Sequence, residues 1–265
     1  MDLAVTDLVT EMVGGAVKAL SRLITLVEND SPEVPSIMEM IAPRLGRGYC
    51  VGITGAPGVG KSTLTDQLVG AARAKGLTVG IVAADPSSPL HGGAVLGDRI
   101  RMEQHFLDKQ VFIRSMATRG HYGGLPRSTG NVVKLLDAFG KDLIIVETVG
   151  VGQTELAIST VTDTIVLVLS PDSGDTIQFM KAGIIEIADV IVVNKADHGN
   201  AEGIVFELKA LLRLSAESFR REPAILTTEA LNKVGIDELY QELEKCRQIR
   251  KAGKDSQRMG NWREP

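Results

Sequence analysis

Tyr49-Cys50-Val51-Gly52-Ile53-Thr54-Gly55-Ala56-Pro57-Gly58-Val59-Gly60-Lys61-Ser62-Thr63-Leu64 is the stretch that decides how this chain folds. An apolar, β-prone run feeds a G-x-x-x-x-G-K-[ST] loop, and Leu64, Leu68, Ala71 and Ala72 then follow at helical spacing. The implied order is strand, phosphate loop, helix. A triphosphate concentrates negative charge, and glycines let consecutive backbone N–H groups turn toward it with no Cβ in the way. The N-terminus of the next helix adds its dipole and unpaired donors. Lys61 can reach the β- and γ-phosphates, and the Ser62 hydroxyl suits Mg²⁺, a hard cation that takes oxygen ligands. Gly55, Pro57, Gly58, Val59, Gly60, Lys61, Ser62 and Thr63 are therefore the expected phosphate-binding residues.

Downstream, residues 78–84 form a continuous apolar run, the pattern of a strand buried on both faces of a parallel sheet. Further strands are expected at 111–113, 143–146, 164–169, 190–193 and 224–226, with helical patterns between most of them. Strands alternating with helices imply right-handed crossovers and an α/β fold of the P-loop NTPase type, its mostly parallel central sheet flanked by helices. Ligands of such sheets bind at the strands' carboxyl ends, where Asp85, Glu147, Asn194 and Asp197 stand. Two long, glycine-rich connections, 87–109 and 115–131, interrupt the rhythm, and Asp98 in the first is a candidate Mg²⁺ ligand.

Upstream, Leu8, Met12, Ala16, Leu20, Leu23, Ile24 and Val27 have helical spacing broken at Gly14-Gly15. A second amphipathic segment carries Ile37, Met40 and Ile41 behind a start signal at Asp30-Ser31-Pro32. The expected organisation is an N-terminal helical extension over 1–46, a P-loop nucleotide-binding domain over 47–245 ending in a short helix, and a polar C-terminal tail over 246–265. Packing of the extension against the sheet's edge is favoured over direct partner contact.

The base is addressed by Asn194-Lys195-Ala196-Asp197, directly after an apolar strand. The Asp197 carboxylate can accept from guanine's N1–H and exocyclic amine, whereas adenine offers an acceptor at N1 and no amine on C2. The wrong base leaves a buried carboxylate unpaired, a discrimination on the order of 10⁴. Asn194 would contact the base or tie this loop to the phosphate loop, and Lys195 would lie over the ring. Between the two sites, Glu147-Thr148-Val149-Gly150-Val151-Gly152-Gln153 puts an acid at a strand end and a glycine N–H, that of Gly150, near the γ-phosphate. Val151 follows Gly150, so a water-orienting glutamine is absent from that position, and slow intrinsic hydrolysis is expected.

Composition limits the alternatives. The chain has 265 residues, 44% hydrophobic and 23% charged, enough to bury a full core. Its net charge of −4 gives no electrostatic case for nucleic acid or an anionic membrane. No apolar run approaches the ~18 residues that span a bilayer, and the first residues lack a signal-peptide pattern. A cytoplasmic protein is expected. Cys50 and Cys246 read as ordinary reduced thiols, and the dispersed histidines show no metal-ligand spacing.

Taken together, G-A-P-G-V-G-K-S, A-D-P-S-S-P, G-G-A-V-L-G-D-R-I-R-M, I-R-S-M-A-T-R-G-H-Y-G-G-L, V-E-T-V-G-V-G-Q and V-V-N-K-A-D resemble the MeaB/ArgK family of GTPases over roughly residues 19–243. The resemblance implies a homodimeric, Mg²⁺-dependent GTPase that acts as chaperone of an adenosylcobalamin-dependent acyl-CoA mutase such as methylmalonyl-CoA mutase. GTP binding and hydrolysis would gate cobalamin loading and protect or reactivate the mutase, with no cobalamin held by this chain itself. It further implies that Lys61, Asp98 and Glu147 serve catalysis and that Ser62, Asp85, Asp98 and Glu147 surround Mg²⁺. Residues 171–181, with Asp172, Asp175 and Lys181, correspond to a family switch loop linking nucleotide site to mutase. Two departures stand out: Thr228-Glu229-Ala230 replaces the family's Thr-Ser-Ala, giving Glu229 and Ala230 as base-loop residues, and the stretch after Leu243 is shorter than the family's C-terminal dimerisation arm. The alternatives are a nickel-type metallochaperone GTPase and a nucleotide-dependent kinase of a transport system.

Overall fold

A computed structural model describes residues 3–85, 103–105, 107–118, 124–149, 155–173, 183–214 and 221–252. The chain opens with three helices, α1 (Leu3–Val13), α2 (Val17–Glu28) and α3 (Val34–Ile41). The break between α1 and α2 falls at Gly14-Gly15, where Gly15 adopts φ 94°. Strand β1 (Tyr49–Thr54) and helix α4 (Lys61–Ala74) flank the glycine loop, and β2 (Val79–Asp85) and β3 (Val111–Ala117) follow. Then come α5 (Thr129–Ala138), β4 (Leu143–Glu147), β5 (Thr164–Leu169), α6 (Ile184–Ile187), β6 (Val190–Asn194), α7 (Ala201–Leu214), β7 (Ala224–Thr228) and α8 (Ile236–Ala252).

The strands form one seven-stranded sheet in the order β3-β2-β4-β1-β5-β6-β7, every pairing parallel. β1 is therefore central, and every residue of β1, β2, β4, β5 and β6 is buried, as the continuous apolar runs require. Alternation along each strand sends side chains to opposite faces. Val51, Ile53, Leu143 and Ile145 share one core with Leu64 and Leu68 of α4 and Leu239 and Leu243 of α8. Cys50, Ile144, Val146 and Val82 share the other with Leu135 and Leu136 of α5 and Leu20, Leu23, Ile24, Ile37 and Ile41 of the N-terminal helices.

The N-terminal helices thus complete one face of the sheet. The edge strands differ from expectation in length. β3 runs to Ala117, past the expected 113, because an edge strand is only partly covered: Phe112 and Met116 are buried with Arg114 between them on the same face, where it meets Glu28 of α2, and Val111 and Ile113 are half-buried on the other face. β7, at the other edge, likewise continues to Thr228. At the C-terminus α8 continues through the expected domain limit to Ala252, with Cys246 buried.

Candidate functional site

The loop of residues 55–60 leaves the central strand at its carboxyl end. Gly55 and Gly60 hold φ 143° and 96°, a region that side chains avoid. Space demands glycine at both positions too. A Cβ on Gly55 would lie 2.1 Å from the Val168 carbonyl oxygen, and one on Gly60 would lie 2.3 Å from Asn194 Nδ2. Lys61, the first residue of α4, folds over the loop and donates from Nζ to the carbonyl oxygens of Gly55 at 2.8 Å and Ala56 at 3.0 Å. Its side chain is buried, and it stands at the N-terminus of α4, where a helix offers unpaired amides to an anion.

One residue on, Ser62 Oγ donates to Glu147 Oε1 at 2.6 Å. The parallel register of β1 with β4 sets this meeting, since Ile53 is opposite Glu147 and the loop must pass over the end of β4. Thr65 Oγ1 supports the same carboxylate, 3.1 Å from Oε2, while also lying 2.9 Å from the Lys61 carbonyl. Thr65 escaped the sequence reading, although its place three residues after Ser62 puts both hydroxyls on one face of α4. Asp85 ends β2, two residues beyond Ala83, the residue paired with Glu147, and is buried. A hydroxyl and a carboxylate in contact at the loop's mouth are hard oxygen donors that fit Mg²⁺, which completes its shell with phosphate oxygens and water. Among the described residues no three His, Cys, Asp or Glu side chains gather into a metal cage.

On the other side of the loop, Asn194 ends β6. Its Nδ2 donates to the Val59 carbonyl at 2.8 Å, and its Oδ1 accepts from Thr228 Oγ1 at 2.9 Å and from the Ala230 amide at 3.1 Å. Of the two roles open to Asn194, the geometry supplies the tie between loops. The Ala196 amide donates to the Thr228 carbonyl at 3.0 Å, which joins the base loop to the end of β7. Asp197 is partly exposed beside His198, and the Lys195 backbone turns through φ 57°. Glu229 spends its carboxylate on Asn232, accepting from Nδ2 at 3.0 Å, while its neighbour Ala230 meets Asn194. Asp172 follows β5 and faces Lys195 and His198. Asp98, Gly150, Asp175 and Lys181 lie outside the described residues.

The model of the family described as "Methylmalonyl Co-A mutase-associated GTPase MeaB" matches residues 20–264. This chain belongs to the MeaB family. GTPase ArgK of Escherichia coli is 36% identical over 229 residues, covering 83% of this chain and 69% of that one. The mouse protein named methylmalonic aciduria type A homolog, mitochondrial, is 35% identical over 258 residues, covering 89% and 61%. A crystal structure titled as a LAO/AO transport system kinase superposes with TM-score 0.71 at 27% identity over 99% of this chain and 80% of that one. HypB of Helicobacter pylori, solved with nickel, gives TM-score 0.55 at 18% identity over 82% of this chain and 94% of that one, a likeness of fold alone. This MeaB-family chain is a P-loop GTPase that binds guanine nucleotide. No helix of its described residues is long and apolar enough to cross a membrane.

Proposed function

We propose that this MeaB-family GTPase is a cytoplasmic, Mg²⁺-dependent chaperone of an adenosylcobalamin-dependent acyl-CoA mutase, using GTP to gate cobalamin loading and to protect or reactivate that enzyme. The observation that carries this reading is the family match across residues 20–264, whose description names a mutase-associated GTPase. The mouse relative's name, which refers to methylmalonic aciduria, agrees with it.

In this reading the backbone N–H groups of residues 58–63 cradle the phosphates, and Lys61 trades its carbonyl partners for β- and γ-phosphate oxygens. Ser62 and Glu147, with Asp85 and Asp98, would hold Mg²⁺, which would supply charge neutralisation for the transferred phosphoryl group. Thr65 keeps Glu147 turned toward Ser62. The Gly150 amide meets the γ-phosphate, and Asp197 accepts from guanine while Asn194, Glu229 and Ala230 support its loop and Lys195 covers the ring. Val151 follows Gly150 and supplies no water-orienting amide, so hydrolysis is slow until the partner acts on residues 171–181 through Asp172, Asp175 and Lys181. Residues 1–46 and 47–245 then work as one nucleotide-binding body, with 246–265 as its C-terminal extension.

The deciding measurement is GTP turnover by the full chain, alone and with each adenosylcobalamin mutase of the same cell, beside Lys61→Ala. Turnover should rise with one mutase and be absent in Lys61→Ala, which folds normally but binds GTP weakly. A wild-type rate indifferent to every such mutase would remove the chaperone reading, and a wild-type rate in Lys61→Ala would remove the site assignment.

A further inference from the structure

The loops that follow β5 and β6 lie side by side. Ser170 closes the first into a turn, its carbonyl accepting from the Ser173 amide at 3.1 Å and from Ser173 Oγ at 2.9 Å. The Asp172 amide donates to Ser170 Oγ at 3.3 Å, which aims the Asp172 side chain across at the second loop. There Oδ2 of Asp172 lies 3.5 Å from His198 Nδ1 and 3.8 Å from Lys195 Nζ. The other ring nitrogen, His198 Nε2, lies 3.3 Å from Asp197 Oδ2. A single imidazole therefore lies between two carboxylates, one of them at the position read as guanine-binding, and in its protonated form it has an N–H for each. The backbones approach closely as well, since a Cβ on Gly199 would come within 3.0 Å of Pro171 Cβ. The His198 amide donates to the Lys195 carbonyl at 2.9 Å, so the base loop is a tight turn that carries all three side chains together.

We propose that Asp172 is a positioning residue for guanine recognition: acting through His198 and Lys195, it fixes the orientation of Asp197, so that the loop after β5 tunes affinity and selectivity for guanine nucleotide. The proposal rests on the reading of Asp197 as the guanine-binding carboxylate. Asp197 needs both oxygens aligned to accept from N1–H and the exocyclic amine at once. A partly exposed carboxylate with no lateral partner samples several rotamers, and binding must then restrict it. His198 limits that freedom on one side, Asp172 holds His198, and the same carboxylate anchors Lys195. The charged groups facing His198 are thus Asp172 and Asp197, with Lys195 sharing Asp172, and the relay joins the two loops by charge where Pro171 and Gly199 join them by close approach. Movement of the loop after β5 reaches the base through these side chains, and by linkage the base holds that loop.

The test measures the affinity of the full chain for GDP, IDP and XDP by calorimetry, in wild type, Asp172→Ala, His198→Ala, the double variant and Asp197→Asn, with thermal unfolding confirming that each is folded. IDP keeps N1–H and lacks the exocyclic amine, so the GDP-to-IDP ratio reads the alignment of Asp197. Asp172→Ala and His198→Ala should each weaken GDP about threefold, the scale of one exposed ion pair, and IDP by less. The double variant should be weakened by less than the product of the single effects, and the loss in GTP turnover should fall on KM rather than kcat. Unchanged GDP affinity in both single variants, equal weakening of GDP and IDP, or fully additive effects would each overturn the relay. Asp197→Asn separates the layers: a shift toward XDP upholds the guanine reading whatever the relay does, and no shift removes both.

Discussion

At the residue scale, Asn194 shows how one side chain can hold a site without touching the chemistry. Its amide satisfies the Val59 carbonyl, the Thr228 hydroxyl and the Ala230 amide, all in the buried seam between the phosphate loop and the end of β7. Gly60 is glycine partly because Asn194 Nδ2 stands 2.3 Å from where its Cβ would be. Truncation to alanine leaves three groups without partners, and each buried orphan costs ~1 kcal/mol or more, so Asn194→Ala should lose about 3 kcal/mol of stability in urea unfolding. GDP affinity should fall along with it, because the phosphate loop loses its lateral tie. A variant with wild-type stability and affinity would show that water replaces the amide without loss. The sequence announced the phosphate and base motifs through residue type and spacing, yet it left open whether Asn194 reads the base or ties loops. Thr65 and His198 were not singled out for a role, since a hydroxyl inside a helix and a histidine in a turn have no signature until a partner from another segment meets them.

At the element scale, the continuous runs of β1, β4 and β5 were plain because central parallel strands bury both faces. The edge strand β3 was half hidden, since Arg114 and Ser115 interrupt the apolar run of a strand that is only partly buried. The junction between the N-terminal helices and β1 was invisible, for it depends on a carboxylate some ninety residues away. Asp137, buried near the end of α5, accepts the amides of Gly46, Arg47 and Gly48, at 3.0 Å from Arg47 and 2.6 Å from Gly48. That cluster fixes where the chain turns into the central strand and so sets the height at which the phosphate loop emerges. Hydrogen bonds to a charged acceptor contribute more than neutral ones, and removing the carboxylate strands three amides. Asp137→Ala should therefore cost about 4 kcal/mol in urea unfolding, on the scale of breaking a buried charged network. Asp137→Asn, which keeps the shape and one acceptor oxygen but not the charge, should lose about half as much; equal losses in the two variants would mean that the charge carries the whole contribution, and no loss in Asp137→Asn would mean that shape alone suffices.

At the scale of the whole molecule, the sheet needs cover on both faces, and the segments flanking it in sequence share that work unequally. α4 and α8 pack on one face, while α5 takes the other together with α2 and α3. An amphipathic stripe tells that a helix buries one side but not what it is buried against, which is why the sequence placed the N-terminal helices no closer than the sheet's edge. In the structure Leu20, Leu23, Ile24, Ile37 and Ile41 are fully buried in the same core as Val82, Ile144 and Val146. Each large apolar side chain stripped of its cover loses ~1.5–3 kcal/mol, and domains of this size are stable by only ~5–15 kcal/mol. Deletion of residues 1–44 leaves Gly46, Arg47 and Gly48 on Asp137 but bares α5 and the adjoining sheet face. The shortened chain should therefore bind a hydrophobic dye, associate in sedimentation and lose GDP binding, although every residue assigned to the nucleotide remains. A truncated chain that stays monodisperse and binds GDP as the full chain does would show that the sheet closes without its N-terminal cover, and the helices would then have to be explained by contact with another molecule.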